Sequence, residues 1–101
     1  MDEQELVATF IERHDLDCPL PHRVLDLESE VGELAKEVLV STEYGTKPDD
    51  ASIAVDEVGD ALFALLALAD AADIDAGEAL GVAVEKYEGR LDESGGAGSG
   101  A

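Results

Sequence analysis

The stretch Val55-Asp-Glu-Val-Gly-Asp-Ala-Leu-Phe-Ala-Leu-Leu-Ala-Leu-Ala69 decides the fold. Val55, Val58, Leu62, Leu65 and Ala69 recur in steps of three and four, the period of a helix that packs along one stripe. No charged residue follows Asp60 until Asp70, so the pattern predicts a helix buried on nearly every side. Glu57 and Asp60 stand three positions apart at the mouth of this apolar run, on one helical face. A carboxylate beside packed apolar surface is costly unless it is paired or bound to a metal.

Working outward, Val24, Leu27, Val31, Leu34 and Val38 predict a second amphipathic helix over about 21–41, upstream of the first. Between the two, residues 42–49 hold Gly45 and Pro48 and read as a loop, with Asp49 or Asp50 as the expected cap of the following helix. A short helix over about 2–14 carries Leu6, Val7, Phe10 and Ile11 and stops where Pro19 and Pro21 break the pattern. Beyond residue 73 a last helix opens at Asp75, with Glu78 three positions on as an acidic relative of the capping box. It runs through Leu80, Val84, Tyr87 and Leu91.

Short connections between helices favour antiparallel neighbours, so the expected fold is all-α and resembles an antiparallel four-helix bundle. One domain spans 1–93, and the Ser, Gly and Ala run at 94–101 is expected to be a flexible tail. Phe10, Tyr44, Phe63 and Tyr87 read first as packing residues rather than as platforms for a base.

Composition agrees with helices. Hydrophobic residues make up 46% of the 101, but aromatic residues only 4%, leaving Leu, Val and Ala to build a core of modest size that a partner subunit would help complete. The formal charge is −19, from 25 acidic residues against 6 Lys and Arg. Such a surface repels nucleic acid and anionic membranes, and its even spread along the chain suits a salt-rich cytosol. Cys18 is the sole cysteine, which excludes an intrachain disulfide and fits a reducing cytoplasm. The acidic start is unlike a signal peptide, and the uncharged run 61–69 is too short to span a bilayer.

The acids that carry chemistry lie on two successive helices. Asp26, Glu30, Glu33 and Glu37 follow steps of four, three and four beside the apolar seam of the second helix. With this many acids, roughly six pairs three residues apart arise by chance, most of them solvated. Glu30 and Glu33 alone therefore prove little. Together with Glu57 and Asp60 they supply hard oxygen ligands from facing helices, which suit Mg²⁺ or Mn²⁺. Two irons would call for Glu-x-x-His pairs, and neither His14 nor His22 stands three residues after a Glu in these helices. Lys86 and Arg90 are four residues apart on the last helix and fit phosphate oxygens as well as they fit ion pairs with the acidic surface.

The strings Leu27-Glu-Ser-Glu30-Val-Gly-Glu33-Leu-Ala-Lys-Glu37 and Asp56-Glu57-Val-Gly-Asp60 resemble the MazG-like nucleotide pyrophosphohydrolases, all-α enzymes with ExxE on one helix and ExxD on the next. The likeness runs from about Val24 to Leu91 and takes in Asp73-Ile-Asp75 and Lys86-Tyr-Glu-Gly-Arg90. It implies Mg²⁺-dependent hydrolysis of a nucleoside triphosphate between the α- and β-phosphates, giving a monophosphate and pyrophosphate, in the service of nucleotide house-cleaning. By position, Glu30, Glu33, Glu57 and Asp60 would hold the metal, Lys86 and Arg90 would contact phosphates, and Glu37 would assist. Ser29 departs from the Glu frequent before the first ligand. The resemblance further implies a homodimer or homotetramer. Two rival readings are a non-catalytic helical interaction or regulatory protein, and phosphoribosyl-ATP pyrophosphohydrolase in the same superfamily.

Overall fold

In the computed structural model, which describes residues 2–94, the first helix, α1 (Asp2–Arg13), has Asp2, Glu3 and Glu5 in its first turn and Arg13 in its last. These charges oppose the partial charges at the two helix ends. α2 (Leu20–Ser41) follows Pro19 and carries Pro21 within its first turn, where the missing amide leaves no intrahelical bond unmade. The buried Arg23 donates from Nη2 to the Leu16 carbonyl at 2.6 Å, fastening the α1–α2 connection to the start of α2.

At the end of α2 the chain reverses through Glu43, Tyr44 and Gly45, with φ of 49°, 60° and 86°. Left-handed backbone is natural for Gly45 and unfavourable for the two residues before it. Thr42 secures the turn. It is buried, and its Oγ1 donates to the Val38 carbonyl at 2.6 Å and accepts the Gly45 amide at 3.0 Å.

The third helix, α3 (Val55–Ala71), starts later than the sequence predicts. Asp49 and Asp50 lie in a short 3₁₀ turn, Pro48–Asp50, and do not cap it. Instead α2 holds the segment before α3. Ser41 Oγ accepts the Ser52 amide at 3.1 Å, and Glu37 Oε1 accepts the Ala54 amide at 2.6 Å. Such bonds from another helix cannot be read from local sequence. These pairings also set α2 and α3 antiparallel, since falling numbers on one meet rising numbers on the other.

α3 ends at Ala71, and Ile74 returns its amide to the Ala69 carbonyl at 2.9 Å around the left-handed Asp73. α4 (Ala76–Ser94) then opens as expected at Asp75, whose Oδ1 accepts the Glu78 amide at 3.0 Å. That bond lowers the Asp75 pKa.

The core lies between α1 and α3. Val7, Ile11, Leu66 and Ala67 are buried together, with Phe63 and Ala76 packed against them. Phe10 meets Phe63 edge to face at 5.8 Å, so both are packing residues as expected. Tyr44, read as core or interface packing, is 81% exposed in this chain and so lies outside its core.

α3 contacts α2 most extensively, α1 less and α4 least. Its burial is correspondingly one-sided. Ala64, Leu66, Ala67 and Ala69 are buried, whereas Val55, Val58, Leu62 and Leu65 face outward, Val55 at 89% exposure. The helix expected to be enclosed on nearly every side is therefore half open, because α4 does not fold back over the stripe. Leu80, Val84, Tyr87 and Leu91 of α4 are exposed as well. The radius of gyration is 16.4 Å, against about 13 Å for a compact domain of this length. Among the described residues no helix is long and apolar enough to cross a membrane. Residues 95–101 of the expected tail lie outside the described residues.

Candidate metal centre

The antiparallel α2–α3 pair brings its acids together by register. One carboxylate oxygen from each of Glu30, Glu57 and Asp60 lies within 4.8 Å of the other two. Glu30 and Glu57 are half-buried and Asp60 is exposed, so the cluster sits at the edge of the helix interface and opens to solvent. Glu57 feels its acidic neighbours. Its pKa is raised by partial desolvation first, then by repulsion from Asp56, Glu37, Asp60 and Glu33. Carboxylates held this close repel one another unless a proton or a cation lies among them. An all-oxygen set on one side of an open cleft matches a hard divalent ion that keeps several waters.

Glu33, the fourth expected ligand, falls outside this trio. It borders a hollow of about 480 Å³ together with Lys36, Glu37, Val40, Ser41 and Glu57. A second hollow, of about 300 Å³, flanks the cluster and is lined by Arg23, Asp26, Glu30, Asp60, Phe63 and Ala64. The trio thus stands between two openings along the α2–α3 groove.

Glu37, expected to assist, is bonded to the Ala54 amide. Lys86 and Arg90 lie elsewhere in this chain. Lys86 Nζ is 5.2 Å and Arg90 Cζ 5.7 Å from the centre of the Tyr87 ring, a pair of cation–π contacts on α4. Neither lines the two hollows beside the acids.

Sequence reasoning missed Lys36 and Arg23. Lys36 is the one cation lining the larger hollow and Arg23 the one cation lining the smaller. The signal for Lys36 was its place within the acidic stripe, three residues after Glu33. Arg23 carried no local signal, because its burial depends on the path of the α1–α2 connection.

An all-α chain whose carboxylates converge from two antiparallel helices beside open hollows belongs, by fold and site, among helical carboxylate proteins with a candidate centre for a divalent cation. The family model of the MazG nucleotide pyrophosphohydrolase domain matches residues 21–94, and the chain belongs to that family. The match takes in α2, α3 and α4, and α1 precedes it. Comparison with curated proteins and with solved structures finds no significant match.

Proposed function

We propose that the protein hydrolyses a nucleoside or deoxynucleoside triphosphate to the monophosphate and pyrophosphate, with Mg²⁺, or Mn²⁺ in its place, held by Glu30, Glu33, Glu57 and Asp60. The observation that carries this reading is the convergence of Glu30, Glu57 and Asp60 within 4.8 Å in a chain of the MazG family. Glu33, on the same helix and bordering the adjacent hollow with Glu57, completes the set. When bound, the cation neutralises phosphate charge, aligns the anhydride and acidifies a water.

The chain's own residues supply the remainder. Glu57, its pKa raised by burial and by its acidic neighbours, is the carboxylate whose ionised form a bound cation would relieve most directly. Lys36 at the larger hollow and Arg23 at the smaller offer positive charge where the other charged side chains lining the hollows are acidic. Lys86 and Arg90 are the further phosphate contacts, reaching the centre from α4 of a second copy. The outward apolar stripes of α3 and α4 support such a homodimer or homotetramer, since exposed apolar surface of that extent favours association. Removal of aberrant nucleotides in the cytoplasm is the role in which we place the activity.

The test is a panel of canonical and damaged nucleotides, with phosphoribosyl-ATP included, incubated with Mg²⁺ and with chelator. Pyrophosphate from a nucleoside triphosphate, lost in chelator, supports the reading. Exclusive turnover of phosphoribosyl-ATP would assign the chain to histidine biosynthesis, and no turnover at all would favour a binding protein.

A further inference from the structure

The amide of Ala54 has two possible carboxylate partners, and which one takes it bears on the metal centre. Ala54 is the residue before α3, so Val55, Asp56 and Glu57 occupy its first three helical positions. A Glu at the third position is the one that, in a capping box, folds back to accept the amide of the capping residue. Glu57 stands at that position, and the amide in question is that of Ala54. In the structure the bond is made by Glu37 of α2 instead, at 2.6 Å. Glu57 reaches forward to within 4.8 Å of Glu30 and Asp60.

We infer that Glu37 is a positioning residue: by occupying the Ala54 amide from a neighbouring helix it denies Glu57 its local capping partner and leaves that carboxylate to the acidic cluster. Its contribution to the centre is made through Glu57, not through contact with the cation. The inference rests on the metal-centre reading and adds to it the reason that Glu57 is available.

The experiment compares Mn²⁺ binding by calorimetry for the wild type, Glu37→Gln, Glu37→Ala and the double variant Glu37→Ala/Ala54→Pro. Ala54 has φ −73° and ψ 147°, which proline adopts, and proline has no amide to offer. Loss of Glu37 in Glu37→Ala is expected to weaken binding about tenfold or more, as removal of groups that orient ligands does. Glu37→Gln keeps an oxygen that accepts the amide and should bind as the wild type does. The double variant should recover most of the lost affinity, because no amide remains to capture Glu57. A purely structural tie would not be rescued this way, since the double variant lacks it too.

A metal-free readout accompanies the titration. Scalar coupling across the hydrogen bond should link the Ala54 amide to the Glu37 carboxyl carbon in the wild type and to that of Glu57 in Glu37→Ala. Unchanged binding in Glu37→Ala, or no recovery in the double variant, overturns the inference. So does loss in Glu37→Gln equal to that in Glu37→Ala, which would make Glu37 a ligand. A wild type that binds no Mn²⁺ or Mg²⁺ defeats the metal reading itself, and the inference with it.

Discussion

Gln4 and Ala76, 72 positions apart, are joined by a hydrogen bond of 2.7 Å from the Ala76 amide to Gln4 Oε1. The same side chain donates from Nε2 to the Ile74 carbonyl, also at 2.7 Å. One amide side chain of α1 therefore holds both sides of the residue that caps α4. Replacing it with Ala leaves an acceptor and a donor at that turn to water, and net losses for such bonds run near 1 kcal/mol each. Gln4→Ala should lower the unfolding free energy by about 1–2 kcal/mol in urea titrations, with the metal affinity of the α2–α3 centre unaltered.

Glu57 gives a prediction with a sign. Its folded pKa lies above its ordinary value of 4.5, through desolvation first and neighbouring acids second. A carboxyl group of this kind adds stability that is fully present below its unfolded pKa and is lost as pH rises through the folded value. At neutral pH the metal-free protein therefore carries the cost of ionised Glu57. In chelator, Glu57→Gln should melt at a higher temperature than the wild type at pH 7, and the gap should narrow as pH falls toward the ordinary value of 4.5. Hydrolysis by the same variant should be lost.

Much of this was legible beforehand. The steps of three and four mark the helices, and the acid pairs point to Glu30, Glu57 and Asp60, which the structure brings together, because helical periodicity and like-charge clustering are local properties. The start of α3 is not legible, since the segment before it is held by Glu37 and Ser41 on another helix. Nor was the outward stripe at Val55, Val58, Leu62 and Leu65, because apolar spacing states that a face will be covered without saying by which chain. Glu33 reads by position as a fourth ligand, and it stands beside the trio of Glu30, Glu57 and Asp60 rather than within it.

That stripe should be covered by a second copy. Light scattering of the wild type is expected to report a dimer or tetramer. Leu62→Glu with Leu65→Glu should shift the population to monomer, because charges buried in an apolar interface are costly. A monomeric wild type would leave the exposed faces of α3 and α4 to another partner.

The cations divide by location. Lys36→Met should raise KM for the nucleotide about tenfold, the loss of one charge-assisted contact, while Tm changes little because Lys36 is exposed. Lys86→Met and Arg90→Met should behave similarly only where the protein is oligomeric, since in one chain both stand on Tyr87 and line neither hollow beside the acids. Steady-state kinetics of the single variants, in the wild-type and Leu62→Glu/Leu65→Glu backgrounds, separate these contributions.

The most direct measurement of the central claim is product analysis by phosphorus NMR of a nucleoside triphosphate incubated with the wild type, with Asp60→Asn and with chelator. A metal centre built on Glu30, Glu57 and Asp60 predicts a nucleoside monophosphate and pyrophosphate from the wild type with Mg²⁺, and neither from folded Asp60→Asn or in chelator. Release of orthophosphate, or undiminished pyrophosphate release in chelator, would contradict it.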